Sequence, residues 1–490
     1  MPPYRSKTLL FIHLLLASAF SFADPVITES NASLPDQTPA TTELPIISAN
    51  QQADLWVRIR QGYGIPDLEN PLVDAQLNWY SARTDYLLRT SERASRYLYH
   101  VVEELEKRGM PTELALLPFI ESAFNPQAIS SAKASGMWQF IPSTGRDFNL
   151  KQNMFKDERR GVIDSTDAAL SYLQKLYDMF GDWQLALAAY NWGEGSVQRA
   201  IKKQQALGLP IDFNSMSYLM PKETQNYVPK LQAVKNIISN PDYFKIALPK
   251  VENQPYFVCV DKTRDIDVRV AAQLAELTIA EFKELNPQFN RPVITGSANT
   301  KILLPADNVE IYKNNLSKWE GPLSSWTAYT VGKNERIENI ARRVGASAGV
   351  IKDVNQVPAN MMVKAGSTLL IPKTGQTQDN DISQMVTDHA SLTVARDNVR
   401  KMNVTASRSD TLNTIAKRYR VSTAQLKDWN NLKSDSLKAG QKLQIEVAAA
   451  PVRRTGARVA IISAPRKSLP LNKRVKRMTV AQTKLPKKPG

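Results

Sequence analysis

At 490 residues the chain is long enough for about three domains of ordinary size, and its 42% hydrophobic, 22% charged composition excludes a multi-span membrane protein and a globally disordered chain. One cysteine (Cys259) and three scattered histidines (His13, His100, His389) exclude a disulfide framework and argue against a Cys- or His-rich metal centre. No Gly-rich phosphate loop is present, which argues against hydride and phosphoryl transfer, so the chemistry must run on carboxylates, hydroxyls, amides and aromatic rings, with no metal or cofactor. The formal net charge of +16 is concentrated at the C-terminus.

Residues 1–23 read as a secretory signal: Arg5 and Lys7, an apolar run over 9–19, then the small residues Ser21 and Ala23 around a cleavage point. The run is shorter than the roughly 20 apolar residues that span a bilayer. With no cysteine near that point, an N-terminal lipid anchor is not expected. The expected location is the periplasm or cell envelope. Residues 24–50, rich in Ser, Thr, Pro, Asn and Gln, read as a flexible leader.

From 51 to 248 the pattern is helical, with apolar residues at spacings of three and four over 72–89, 94–107, 164–180, 184–190 and 227–238. This predicts one all-α domain. Inside it, Pro111-Thr112-Glu113-Leu114 looks like a helix start, 114–120 is almost wholly apolar, and the helix is expected to end at Asn125-Pro126 with a kink at Pro118. Glu121 sits at its C-terminal end. Apolar surroundings and the negative end of a helix dipole both disfavour an ionised carboxylate, which raises its pKa toward the range a general acid needs. A solvated end-of-helix glutamate is the bland alternative. The surroundings count against it: Ser130 in a small-residue loop, then Gly136-Met137-Trp138-Gln139-Phe140, then Tyr190-Asn191-Trp192-Gly193 and Tyr227-Val228-Pro229. Aromatic rings stack on sugar faces, and amides bond hydroxyl and acetamido groups.

The stretches 117–126, 134–142 and 188–195, with Tyr227-Val228-Pro229 beyond, resemble the lysozyme-like domain of the lytic transglycosylases in order and spacing. The resemblance implies that Glu121 is a single catalytic acid and base. It also implies that Ser130 supports that carboxylate or its substrate, and that Met137, Gln139, Tyr190, Asn191 and Tyr227 shape a glycan cleft. An ordinary glycosidase uses two carboxylates, yet no second acid lies within the motif, the next downstream being Asp147. The family reaction avoids the need, because the sugar's own C6 hydroxyl attacks C1. A water-adding muramidase and a non-catalytic wall-binding scaffold stay open as alternatives.

After 249 the texture changes to short strands and helices, and a unit repeats. Tyr329-Thr330-Val331, residues 337–341 and Lys352-Asp353-Val354-Asn355 recur 75 residues on as Val404-Thr405-Ala406, 412–416 and Lys427-Asp428-Trp429-Asn430, and 369–372 recurs, after a single-residue deletion, as 443–445. A fainter copy contains Lys283-Glu284-Leu285-Asn286. The units, over 256–305, 327–373 and 402–447, read as small α+β modules of strand–helix–helix–strand order, joined by polar linkers at about 306–326 and 374–402. They resemble LysM modules, which implies binding to N-acetylglucosamine-containing glycans; the middle one has Asn334-Glu335-Arg336 where Gly-Asp-Ser is usual. Several weak sites on one polymer would gain by effective concentration. From 451 to 490 come twelve Lys and Arg and no acidic residue. The region 448–490 therefore reads as a disordered basic tail suited to an anionic wall or membrane surface. The expected fold class is multidomain: an all-α lysozyme-like catalytic domain, LysM modules and this tail. The expected partner is peptidoglycan, with no nucleic acid, and the expected state is a monomer.

Overall fold

The computed structural model describes residues 53–448 except 263, 296–299, 378, 397–398 and 433. The segments read as a signal and a leader, and the basic tail beyond Ala448, lie outside the described residues.

The all-α domain opens with helices α1 (Leu55–Gln61), α2 (Pro71–Ser81), α3 (Thr84–Ala94) and α4 (Leu98–Lys107). Side chains set their starts: the Asp54 carboxylate accepts the Trp56 N–H, and the Asn70 side chain accepts the Leu72 N–H. Apolar periodicity had joined 72–89 into one helix and 94–107 into another. Each is interrupted, the first at Ala82-Arg83, where Arg83 leaves helical geometry (φ −129°, ψ 50°) and folds its guanidinium back over Trp79, 4.4 Å from the ring centroid. The apolar stripe keeps its phase across the break, so periodicity could not reveal it.

A 3₁₀ turn (Thr112–Leu116) leads into α5 (Leu117–Glu121), and α6 (Pro142–Asp147) follows the small-residue loop. Next come α7 (Val162–Phe180), closed by Gly181 in the left-handed region, α8 (Trp183–Trp192), α9 (Glu194–Ala206), α10 (Phe213–Met216) and α11 (Lys222–Ser239). Helix α11 is the hub, packing on α2, α5 and α8. Around it one core gathers Trp56, Phe119, Phe124, Trp138 and Phe213, all fully buried. Each such aromatic ring contributes about 2–3 kcal/mol of burial.

Three small modules follow. In the first, β1 (Phe257–Asp261) pairs antiparallel with β4 (Lys301–Pro305), and β2 (Ile266–Asp267) with β3 (Val293–Ile294), around α12 (Val268–Leu274) and α13 (Ile279–Leu285). In the second, β5 (Trp326–Thr330) pairs with β8 (Thr368–Pro372), and β6 (Glu335–Arg336) with β7 (Met361–Val363), around α15 (Ile337–Val344) and α16 (Ala348–Asn355). In the third, β10 (Val399–Thr405) pairs with β11 (Lys442–Ala448) around α18 (Leu412–Tyr419) and α19 (Thr423–Asn430).

The asparagine that ends each repeated word explains the repeat. Asn355 receives the Leu370 N–H at 2.8 Å and donates to the Leu370 carbonyl at 2.7 Å; Asn286 does the same to Leu303, and Asn430 to Gln444. One amide thus staples the second helix to the last strand in all three modules. Glu335 has a counterpart as well: it pairs with Arg343 as Asp410 pairs with Arg418, both eight residues on.

The segments read as linkers are structured. Helix α14 (Val309–Ser317) closes the first module's core through Val309 and Tyr312. Helix α17 (Gln384–His389) lies in the second linker, where β9 (Val394–Arg396) pairs with β7. Nor do the first two modules hang free of the helical domain. Leu285 and Leu303 join the main core, while Phe155, Val293, Leu370 and Ile382 form an apolar cluster shared by the domain, both modules and the segment after them. Arg291 clasps both sides, donating to the carbonyls of Met154 (3.1 Å) and Val354 (2.5 Å).

Candidate active site

Glu121 is the last residue of α5. Pro118 occupies the helix's second position, where its missing N–H costs nothing, so it starts this short helix instead of kinking a longer one. The helix stops at Ser122 and not at Asn125-Pro126, because Ala123 (φ 51°) and Phe124 (φ 54°) both turn left-handed. Two such non-glycine residues cost about 1–2 kcal/mol each. Burial of Phe124, edge-on to Phe119 (5.1 Å) and stacked on Tyr97 (6.5 Å), offsets that cost. The Arg93 guanidinium holds the Ala123 carbonyl at 2.9 Å, and the Pro118 carbonyl accepts from both Ser122 and Phe124. The carboxylate is therefore presented by a strained turn that its surroundings over-determine.

The Glu121 carboxyl is half-buried, and burial pushes its pKa up to about 7. The Tyr227 hydroxyl donates a hydrogen bond to its Oε1 and opposes the rise; Glu223 nearby adds to it, and Lys230 lowers it. The helix dipole invoked from the sequence has little to act through, since α5 is five residues long. Tyr227 stands on α11 and Tyr190 on α8. Burial and the Glu121 charge raise both phenols well above their usual range, so each stays a donor. The Tyr190 hydroxyl donates to the Trp138 carbonyl at 2.9 Å. Thr224 donates to the Asn191 amide oxygen at 2.7 Å, tying the end of α8 to the start of α11.

The loop 128–140 forms the adjoining wall. Ile129 bridges Ser135, which in turn bridges Phe140. Gly136 (φ 89°) cannot be replaced without rearrangement, because a Cβ there would lie 1.9 Å from the Arg159 carbonyl. Gln139, also left-handed (φ 52°), donates its amide to the Gly136 carbonyl at 2.8 Å. The Arg159 guanidinium, locked by Asp157, reaches the carbonyls of Lys133 (2.7 Å) and Phe140 (3.1 Å) and clamps the loop at its middle and at its end.

The structure thus brings Tyr190 and Tyr227 to Glu121. Gln139 and Asn191 are half-buried, on the loop and at the α8 terminus. Met137 sits differently from its sequence reading. Met137 is 1% exposed, its side chain is core, and what it turns to the site is a carbonyl that accepts the Ser122 hydroxyl at 2.8 Å. Ser130 uses its hydroxyl within its own loop, accepting the Ala134 N–H at 3.1 Å, and makes no hydrogen bond to Glu121 among the described residues.

Sequence reasoning missed Arg159 and Glu223. Glu223 lies four residues before Tyr227 on α11, so a helical-wheel reading of that segment would have placed both on one face. Arg159 sits in the charged run Asp157-Glu158-Arg159-Arg160, which reads as solvated surface.

Residues 100–209 match the family described as Transglycosylase SLT domain, residues 329–372 and 405–446 each match LysM domain, and residues 256–321 match Lytic transglycosylase MltD, LysM-like domain. The last match extends through α14, in keeping with that helix's place in the first module's core. Over 409 residues the chain is 34% identical to membrane-bound lytic murein transglycosylase D of Escherichia coli, covering 80% of this chain and 86% of that one. Membrane-bound lytic murein transglycosylase C of Yersinia enterocolitica is 32% identical over 167 residues, 29% of this chain and 47% of that one. Among solved structures, the 70 kDa soluble lytic transglycosylase of Escherichia coli aligns over 34% of this chain and 30% of that one, at 20% identity and a TM-score of 0.25.

Proposed function

This chain belongs to the family of membrane-bound lytic murein transglycosylase D, and on that premise we propose that it cleaves the MurNAc-β-1,4-GlcNAc bond of peptidoglycan with Glu121 as its one acid and base. The observation that supports this best is a carboxyl held near pKa 7 by burial, hydrogen-bonded by the Tyr227 phenol and close enough for its charge to act on Tyr190. A group so placed is protonated in a good fraction of molecules at neutral pH and can give that proton up.

In the proposed sequence Glu121 protonates the glycosidic oxygen as the C1–O bond breaks, and the oxygen leaves as the 4-hydroxyl of N-acetylglucosamine. The acetamido group of N-acetylmuramic acid stabilises the oxocarbenium-like C1. The C6 hydroxyl of the same sugar then attacks C1 and passes its proton to the Glu121 carboxylate, which restores the acid. The product is a 1,6-anhydro end, and no water is consumed. Because the nucleophile is part of the bound sugar, proximity favours it over solvent. Tyr227 orients Glu121 throughout and stabilises its ionised form between the two proton transfers. Gln139, Asn191 and the loop around Ser130 are proposed to border the bound sugars.

The charge of Glu223, exposed in the first turn of α11, acts on Glu121 and favours one second reading, a two-carboxylate muramidase. Mass spectrometry of digested sacculi separates the two. Transglycosylation leaves ends lighter by one water than hydrolysis does, and reducing ends as the main product would overturn the proposal. Glu121→Gln should abolish cleavage and leave the protein bound to sacculi. Loss of binding as well, with the fold intact, would mean the side chain does not act as proposed.

The same reading extends to the rest of the chain. Residues 1–23 are proposed to direct export to the periplasm, the LysM modules to hold the monomeric enzyme on glycan strands, and the basic tail to rest against an anionic wall or membrane surface.

A further inference from the structure

The seam between the second and third modules is a groove of about 710 Å³, within the range of pockets that hold small ligands. One wall is the turn and first helix of the second module, with Lys333, Arg336 and Arg343; the other is the helix–turn–helix of the third, with Tyr419, Arg420 and Trp429. The seam is pinned. Arg336 crosses it to Glu446 of β11 at 2.9 Å, and Lys401 holds the same carboxylate at 3.1 Å. Arg343 is paired with Glu335 at 2.5 Å.

The Arg336–Glu446 and Arg343–Glu335 pairs account for both carboxylates that line the groove and for two of its four cations. The other two, Lys333 and Arg420, are exposed and make no ion pair among the described residues. The groove therefore carries two uncompensated positive charges, one on each module, beside the half-buried Trp429 and Tyr419 rings. An aromatic face suits the C–H face of a pyranose, and a guanidinium or ammonium beside it suits a carboxylate on that sugar or on what it bears.

We propose that this seam, formed by two modules jointly, binds a carboxylate-bearing glycan, and that on the reading above its ligand is the peptidoglycan strand with its lactyl and peptide carboxylates. A site shared between modules differs from a separate neutral-sugar site on each: it exists only while the modules stay pinned, and it discriminates by charge. A strand lying across it is held with one orientation relative to both modules, which gives the bound polymer a direction.

The test uses the full chain carrying Glu121→Gln, so that strands are not cut during measurement. Calorimetric titration compares peptidoglycan strands with stems, strands stripped of stems, and neutral chitohexaose, at low and high salt. With Lys333→Glu and Arg420→Glu together, affinity for stem-bearing strands should fall about tenfold or more, and the salt dependence of that affinity should shrink. Chitohexaose binding should be unchanged, which also shows that the modules remain folded. If stripped strands lose as much affinity as intact ones, the lactyl carboxylate is the group bound; if only intact strands respond, the stem is. Equal strand affinity before and after charge reversal overturns the proposal. That failure is distinct from failure of the parent reading, which would appear as absence of anhydro ends in digests by the unmodified enzyme.

Discussion

In the role proposed for Glu121, one side chain lowers stability for the sake of reactivity. A carboxyl whose pKa is near 7 in the fold and 4.5 in the open chain binds more protons folded than unfolded across that interval. Its contribution to stability is therefore undiminished below about pH 4.5, declines as pH rises through the interval, and is lost above about pH 7, by at most about 3 kcal/mol. Glutamine carries no such penalty. Thermal melts of wild type and Glu121→Gln should thus nearly coincide near pH 4.5 and separate in the variant's favour by pH 8. A gap that does not change with pH would show that burial is not what holds the proton. Tyr227 acts on the same equilibrium from the other side, since its donated bond favours the ionised carboxyl. In Tyr227→Phe the alkaline limb of kcat/KM should move to higher pH while the plateau falls by one or two orders of magnitude. A purely structural role would lower the plateau without moving the limb.

At the scale of the element, the informative features are those that hold backbone where propensity would not. The left-handed pair after α5 and the loop clamped by Arg159 are both held from a distance: by a buried ring in one case, by a guanidinium 19 residues from Phe140 in the other. The modules use the asparagine staple instead. In Asn355→Ala the amide is lost and both polar groups of Leu370 are left buried without their partner, a cost of about 2–4 kcal/mol. Hydrogen exchange of the Leu370 amide should accelerate strongly, with exchange in the α7–α8 pair unaffected. Undiminished protection at Leu370 would mean that the staple is not what fastens β8. The repeated Asn was plain in the sequence as a word recurring at a fixed place. Its role was not, because the word ends on one element and its partner lies 15 residues on, in another.

Across the whole molecule, the helical domain and the first two modules share apolar surface, and Arg336 and Glu446 carry the connection on to the third. The modules are held in set positions, so the gain expected from several weak sites on one polymer depends on how well that fixed arrangement matches the strand. The basic tail is proposed to add a separate, salt-sensitive attachment. Removing residues after Ala448 should weaken pelleting with sacculi or anionic vesicles at low salt and make little difference at high salt, where the Debye length falls to a few ångströms. Equal pelleting of both forms at low salt would leave the tail without that role.

Much of this was legible in residue order alone: helices from spacing, modules from repetition, and Glu121 from an apolar run ending in an acid beside a family's motifs. These are short-range features, and short-range physics writes them directly into the chain. What needed the fold were the approach of Tyr227 to a carboxyl 106 residues away, the split of two apparent helices, the core position of Met137, and the charged seam between modules. Such proximities follow from how whole faces pack against one another, a balance over many distant side chains that leaves no periodic trace in any one segment.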